Sequence, residues 1–386
     1  MEGRDPVSGV TMGVEEEFLL VDPVTGVTVP RAARVLALAG RRPPPAPGAG
    51  FHAELQSTQV EAVTGVCTGL RALRHQLRQG RLRLAAAAAA EGVRLVSTGT
   101  PVLACPDPPF TEGERFTRIS RMYAGVVGGY QSCGCHVHVG VQDRETAVGV
   151  LNHLRPWLPT LLALSVNSPF DRGRDTGYAG WRMMEQSRFP GSGVPPWSDS
   201  AAGYDRQVER LVDGGVLVDP AMTFWLARLS PRLRTVEVRV ADAAGTVDEA
   251  VLQAALTRAL VRRALDDLAA GREAPRVCDQ VCAAAVWSAA RYGLEGPGVH
   301  PVREAQVHAT ALVDELLDRV RPALEEAGDL SEVQTVLAKI RRVGTGAARQ
   351  RRAAGGAGPA GAIPMLVQQT APGAWEPPER VRMGVR

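Results

Sequence analysis

The sequence predicts an α+β fold with a mostly antiparallel sheet. Three observations predict it. Stretches rich in β-branched and aliphatic residues at 11–21, 133–141 and 233–240 read as strands. Apolar residues at helical spacing mark helices at 68–90, 246–270, 276–292, 301–327 and 330–342. The two kinds are interspersed without the regular alternation that builds a parallel sheet.

In chain order, Thr11 to Val21 is a strand closed by the turn Asp22-Pro23-Val24-Thr25-Gly26. Residues 51–64 look extended throughout, and 68–90 is a helix with Gly92 as its stop. Val93 to Thr98 is a short strand, 99–114 a Pro-rich loop, and Arg115 to Ala124 a helix. After the strand Cys133 to Val141, Asp143 caps a helix running toward Leu154, and a second begins after Pro156. Residues 167–199 are long, irregular and rich in Gly, Pro, Arg and Trp, and loops of that length usually carry function. A helix from Ala201 to Val212 and the strand Leu233 to Val240 follow, and Thr246 opens a long helix. From residue 353 to 386 the Gly/Ala/Pro content reads as a mobile tail, which leaves one domain over 11–352.

Composition excludes several classes. With 44 basic against 41 acidic residues the net charge is +3, so nothing points to nucleic acid or to a polybasic membrane contact. The longest apolar run, Leu84 to Ala90, falls far short of the ~20 residues of a membrane span. Residues 1–5 show no apolar signal core, and the six cysteines form no Cys-x-x-Cys, so a cytoplasmic protein with reduced thiols is expected. The single lysine, Lys339, lies in an amphipathic helix, and no phosphate-binding Gly-x-x-x-x-Gly-Lys loop exists.

Four segments carry chemistry. In Gly13-Val-Glu-Glu-Glu-Phe-Leu-Leu20, Glu15 and Glu17 share a strand face. Two buried carboxylates repel, and a hard divalent cation such as Mg²⁺ removes the conflict, unless the strand is an exposed edge. In Glu54-Leu-Gln-Ser-Thr-Gln-Val-Glu61, a spacing of seven puts Glu54 and Glu61 on opposite faces of a regular strand unless a bulge intervenes. In Cys133 to Val141, Cys135, Val137, Val139 and Val141 make an apolar face, whereas Gly134, His136, His138 and Gly140 make an open face suited to a metal or ligand. In Thr235-Val-Glu-Val-Arg-Val-Ala-Asp242, Glu237 and Arg239 share a face, as a surface ion pair or as a metal ligand beside a phosphate-neutralising arginine.

Together these strands, with Asn167-Ser-Pro-Phe170, Asp175-Thr-Gly-Tyr178, Trp181-Arg182 and Gly344-Thr-Gly-Ala-Ala-Arg-Gln350, resemble the glutamate–cysteine ligase type 2 family of bacterial carboxylate–amine ligases. The resemblance implies a glutamine-synthetase-like core whose antiparallel sheet cups the active site. It implies phosphorylation of the glutamate γ-carboxylate by ATP with Mg²⁺, then attack by an amine, typically that of cysteine. Carried over by position, the resemblance makes Glu15, Glu17, Glu61, His136 and Glu237 metal ligands, with Glu54 a further ligand or a substrate-binding residue. Arg239 contacts phosphate, and Arg182, Asn167 and Tyr178 help hold substrate. The partners are glutamate, an amine and ATP, and a homodimer is the family-based expectation. Trp225-Leu226-Ala227-Arg228 departs from the family pattern, which has Asp where Leu226 stands, and Asp171 replaces an aromatic. A metal-dependent hydrolase built on His136 and His138, or a weakened homologue acting as a binding protein, are the alternatives.

Overall fold

The computed structural model describes residues 8–374. Seven strands form one sheet: β1 (Met12–Val21), β2 (Gly50–Ala53), β3 (Gln59–Val63), β4 (Arg94–Val96), β5 (Gly134–Gly140), β6 (Ala227–Leu229) and β7 (Thr235–Asp242). The order is β6-β7-β5-β1-β3-β2, with β4 on the far half of β1, and every pairing is antiparallel, as expected. Five helices matter to the site: α1 (Leu70–Ala90), α2 (Glu114–Tyr123), α3 (Trp181–Gln186), α4 (Val247–Ala269) and α5 (Ile363–Thr370).

Alternation along the strands sorts the two faces. Val14 of β1, Cys135, Val137 and Val139 of β5, and Val236, Val238 and Val240 of β7 join one apolar core with Leu73 of α1 and Val261 of α4. Phe18 and Leu20 pack on Leu84 and Ala88 of α1. Burial of each such side chain contributes roughly 1.5–3 kcal/mol, so helices hold the sheet from this side and leave the opposite face to polar groups. Thr246 caps α4 with Glu249 reciprocating, which fixes where that covering helix begins. Glu16 is the polar exception on the covered face. Arg81 of α1 grips it through two hydrogen bonds of 2.6 and 3.0 Å and also donates to the carbonyls of Ala244 and Thr370.

Three expectations change. Residues 51–64 are not one extended run: β2 and β3 form a hairpin across 54–58, so the chain reverses rather than bulges. Residues 301–308 do not begin a helix, because 297–308 makes a small hairpin and the helix starts at Ala309. The stretch from 353 is not a mobile tail through residue 374. Leu366 and Val367 of α5 pack on Val96, Val102 and Phe170, and the Thr370 hydroxyl accepts from the Ser97 N–H at 2.8 Å. Residues 375–386 of that expectation lie outside the described residues. Among the described residues no helix is long and apolar enough to cross a membrane.

Candidate active site

The polar face of the sheet concentrates the acidic and histidine side chains that the strand motifs carry. Strand register does the gathering: Glu17 lies opposite Glu61, Glu15 opposite His136, and His138 opposite Glu237. Two groups of potential metal ligands result, Glu15 with His138 and Glu237, and Glu17 with Glu54 and Glu61. Within each group one ligand atom per residue lies within 4.8 Å of the others.

The first group is balanced by protein charge. His138 Nε2 is 3.0 Å and His136 Nδ1 3.3 Å from the Glu15 carboxylate. Burial pushes the Glu15 pKa up, but the hydrogen bonds from the two histidines outweigh it and hold the carboxyl well below the usual range. Glu237 is buried at 2% exposure and clamped by two guanidiniums. Arg228 donates to both its oxygens at 2.8 and 3.1 Å, and Arg239 forms a further short ion pair. Burial again raises its pKa, and Arg239, Arg228 and His138 more than reverse that. Burial and the Arg239 charge depress His136, whereas for His138 the Glu15 hydrogen bond overcomes burial and raises it.

The second group lacks such balance. Burial, then the charges of Glu17 and Glu15, pushes Glu54 up to about 8. Burial, then Glu54, Glu15 and Glu17, raises Glu61 well above its ordinary value. Burial and mutual repulsion thus favour the protonated forms of Glu54 and Glu61, and a hard divalent cation is the partner that would ionise them. The donor set of oxygens alone here suits a hard divalent ion, and two carboxylates plus one imidazole beside Arg239 can also hold a divalent ion.

Beside the second group opens a cavity of about 130 Å³. Glu17, Glu54, His136 and Arg239 line it together with Tyr130, Ser132, Gln59, Arg182 and Gln186. Phe116 and Ile119 of α2, with Met222 and Phe224, add an apolar lining that continues from Tyr130. Arg115 stands there too, ion-paired to Asp219 at 2.8 Å.

Most of the expected residues meet here. Glu15, Glu17, Glu54, Glu61, His136, Glu237, Arg239 and Arg182 all lie on this face or cavity. The three-residue group around Glu15 is completed by His138 rather than His136, because β5 places His138 opposite Glu237. His136 instead lies between the groups, 3.3 Å from Glu15 and 3.8 Å from Glu17. Arg182 is buried, donating to the Val240 and Arg239 carbonyls.

Two expected substrate residues do not reach the site. The Asn167 side chain is consumed internally: Nδ2 donates to the Ser97 and Ala243 carbonyls and Oδ1 accepts from Gln350 at 2.8 Å. The motif therefore staples the 167–178 loop to the C-terminal helices. Tyr178 lies edge-on to Trp181 and Trp287 and accepts from the Trp287 indole at 3.1 Å, away from the cavity walls. Arg228, not expected at the site, lies directly opposite Glu237 in the β6–β7 register, and its only sequence signal is a lone arginine between apolar neighbours. Tyr130, Ser132 and Gln186 have no periodic signature and emerge only in three dimensions. Leu226 is buried at 1% in the main core, so the missing acid takes nothing from the polar face. The hydrolase alternative finds no support. Larger clefts exist near Arg258 (350 Å³) and near His153 and His300 (430 Å³), yet among the described residues no group of three potential ligands forms in them.

Comparison with known proteins adds independent findings. A sequence model of glutamate–cysteine ligase family 2 matches residues 11–375. A protein of Saccharopolyspora erythraea provisionally named glutamate–cysteine ligase 2-2 is 57% identical over 373 residues, spanning 96% of this chain and 95% of its own. A Nocardia farcinica protein provisionally named glutamate–cysteine ligase 2-1 is 45% identical, spanning 89% of each chain. Among solved structures, Francisella tularensis glutamate–cysteine ligase in complex with AMP superposes with a TM-score of 0.68 at 13% identity, over 94% of this chain and 88% of that one. The bifunctional glutathione synthetase of Pasteurella multocida gives 0.65 at 16% identity, over 94% of this chain and 52% of that one. These two likenesses concern the fold.

Proposed function

The chain belongs to glutamate–cysteine ligase family 2, and from that premise we propose that it is an ATP-dependent ligase that joins the γ-carboxylate of glutamate to an amine. The reaction is glutamate plus ATP to γ-glutamyl phosphate plus ADP, then attack by the amine with release of phosphate. Cysteine is the family's typical amine, and γ-glutamylcysteine would be the product. The observation that carries the reading is the pair of carboxylate groups flanking Arg239 on one sheet face.

In this reading Glu15, His138 and Glu237, and Glu17, Glu54 and Glu61, would hold divalent cations, with His136 between them. The bound cations supply charge neutralisation for the ATP phosphates. Arg239 is braced by Glu237 and presents a planar fork to phosphate oxygens, stabilising charge that grows as the γ-phosphoryl group transfers. Arg228 keeps Glu237 ionised and fixes its rotamer, so Arg239 is held in place before substrate arrives.

Incubating the full chain with ATP, Mg²⁺, glutamate and hydroxylamine tests this. An acyl phosphate gives γ-glutamyl hydroxamate in step with ADP, whatever the natural amine. ADP release that does not depend on glutamate, or no hydroxamate, refutes the proposal, and replacing hydroxylamine by a panel of amines identifies the acceptor.

A further inference from the structure

Four buried polar atoms of residues lining this cavity have no hydrogen-bond partner in the protein: Gln59 Oε1, Gln186 Oε1, Ser132 Oγ and Arg182 Nε. Gln59 is 2% exposed, Gln186 4% and Arg182 1%. An unpaired buried acceptor ordinarily costs stability, so acceptors gathered on one cavity point to a donor that arrives from outside. The amide of Gln59 is not free to turn over. Its Nε2 donates to the Ser132 carbonyl at 2.8 Å and lies 3.3 Å from Cys133 Sγ, which leaves the oxygen as the unpaired atom. Gln186 lies four residues after Arg182 on α3, so both project from one helix face toward the cavity. The Tyr130 phenol stands beside Gln186 and Ser132 and ties this wall together.

We infer that Gln59 and Gln186 bind the α-ammonium of the glutamate substrate, with Arg182 taking its α-carboxylate. The inference rests on the ligase reading above. Amide oxygens only accept, and Arg115, which also lines the cavity, is already engaged by Asp219. An ammonium supplies three donors and a positive charge; a hydroxyl supplies one donor and none. The reacting amine is the poorer occupant. It has to shed a proton to attack, and acceptors that bond every N–H stabilise its protonated form. The ammonium of glutamate stays protonated throughout.

Glutarate is glutamate without the ammonium, and it isolates the contact. Hydroxamate formation by the full chain with Mg²⁺, ATP and hydroxylamine is measured for both acids, in wild type and in Gln59→Met and Gln186→Met. Wild type should prefer glutamate. Each variant should lose about tenfold in kcat/KM for glutamate, with glutarate turnover and the KM for ATP within threefold of wild type. Gln186 lies outside the sheet, so its variant decides the point if Gln59→Met does not fold. Equal losses on both acids mean a structural role only and overturn the inference. A rise confined to the KM of an amine acceptor overturns the assignment to glutamate. A wild type inert with glutamate but active on another carboxylate refutes the glutamate reading itself, a result visible before any variant is made.

Discussion

Binding of Mg²⁺ to the Glu17, Glu54 and Glu61 group should release protons. Glu54 titrates at about 8 in the metal-free protein, raised by burial and by its acidic neighbours from an ordinary 4.5. At pH 7 such a group is about 90% protonated. Glu61 is raised as well, and because the carboxylates interact, the count belongs to the trio rather than to one residue. A divalent ion requires ionised ligands. About one proton from Glu54, with Glu61 adding to it, should therefore leave per ion bound near pH 7, and the apparent Kd should fall roughly tenfold or more from pH 6.5 to 7.5. Titration calorimetry in two buffers of different ionisation enthalpy counts the protons directly, and Glu54→Gln should remove about one of them. A binding enthalpy independent of buffer, with an affinity flat across that pH range, would refute the reasoning. The same shifts set the sign for stability. The folded pKa of Glu54 lies above its unfolded value, so its contribution is full below about pH 4.5 and is lost as pH rises through about 8. The metal-free protein should melt at lower temperature at pH 8.5 than at pH 6.5, and Mg²⁺ should stabilise it most at the higher pH.

Glu61→Gln should leave metal-free stability unchanged or higher, since one of three repelling carboxylates goes, while abolishing ATP turnover; thermal melts and ADP release read the two effects. Arg239→Lys should lower turnover at saturating ATP about a hundredfold, on the order of 3 kcal/mol, because lysine cannot grip two oxygens at once; a rate within threefold of wild type returns Arg239 to a structural role. Arg228→Ala should destabilise by roughly 1.5–3 kcal/mol in denaturant unfolding, because it strips one of two guanidiniums from a buried carboxylate that keeps the other. Tyr178→Phe should leave every KM within twofold, since its hydroxyl bonds Trp287 and not the cavity, and a selective rise in the KM for glutamate would reinstate it as a substrate residue.

What the sequence discloses and what it withholds follow from how each position gets its place. Side-chain direction on a strand has period two, so the shared faces of Glu15 with Glu17, His136 with His138 and Glu237 with Arg239 are legible from spacing, and the sheet builds them as read. Contact across strands depends on register, which no single strand encodes; hence His138, opposite Glu237, joins the ligand group that spacing offered equally to His136. Glu54 depends on a chain reversal, and a stretch of β-formers without Asn-Gly or Asp-Gly gave no sign of one. Asn167 depends on partners far along the chain, Ser97, Ala243 and Gln350, so a polar residue in a long loop looks like a substrate contact until those partners are in place. The 353–374 stretch errs by the opposite route: its composition reads as disorder, but its alanines Ala354 and Ala362 pack with Leu366 and Val367 in the cluster that holds Phe170 and Val96. Position on one element is thus fixed locally, and partnership between elements is fixed by the fold. The assignments open to challenge at this site are those of the second kind, which is why Gln59 and Gln186, silent in any pattern, become candidates only once Arg182 stands beside them on the same cavity.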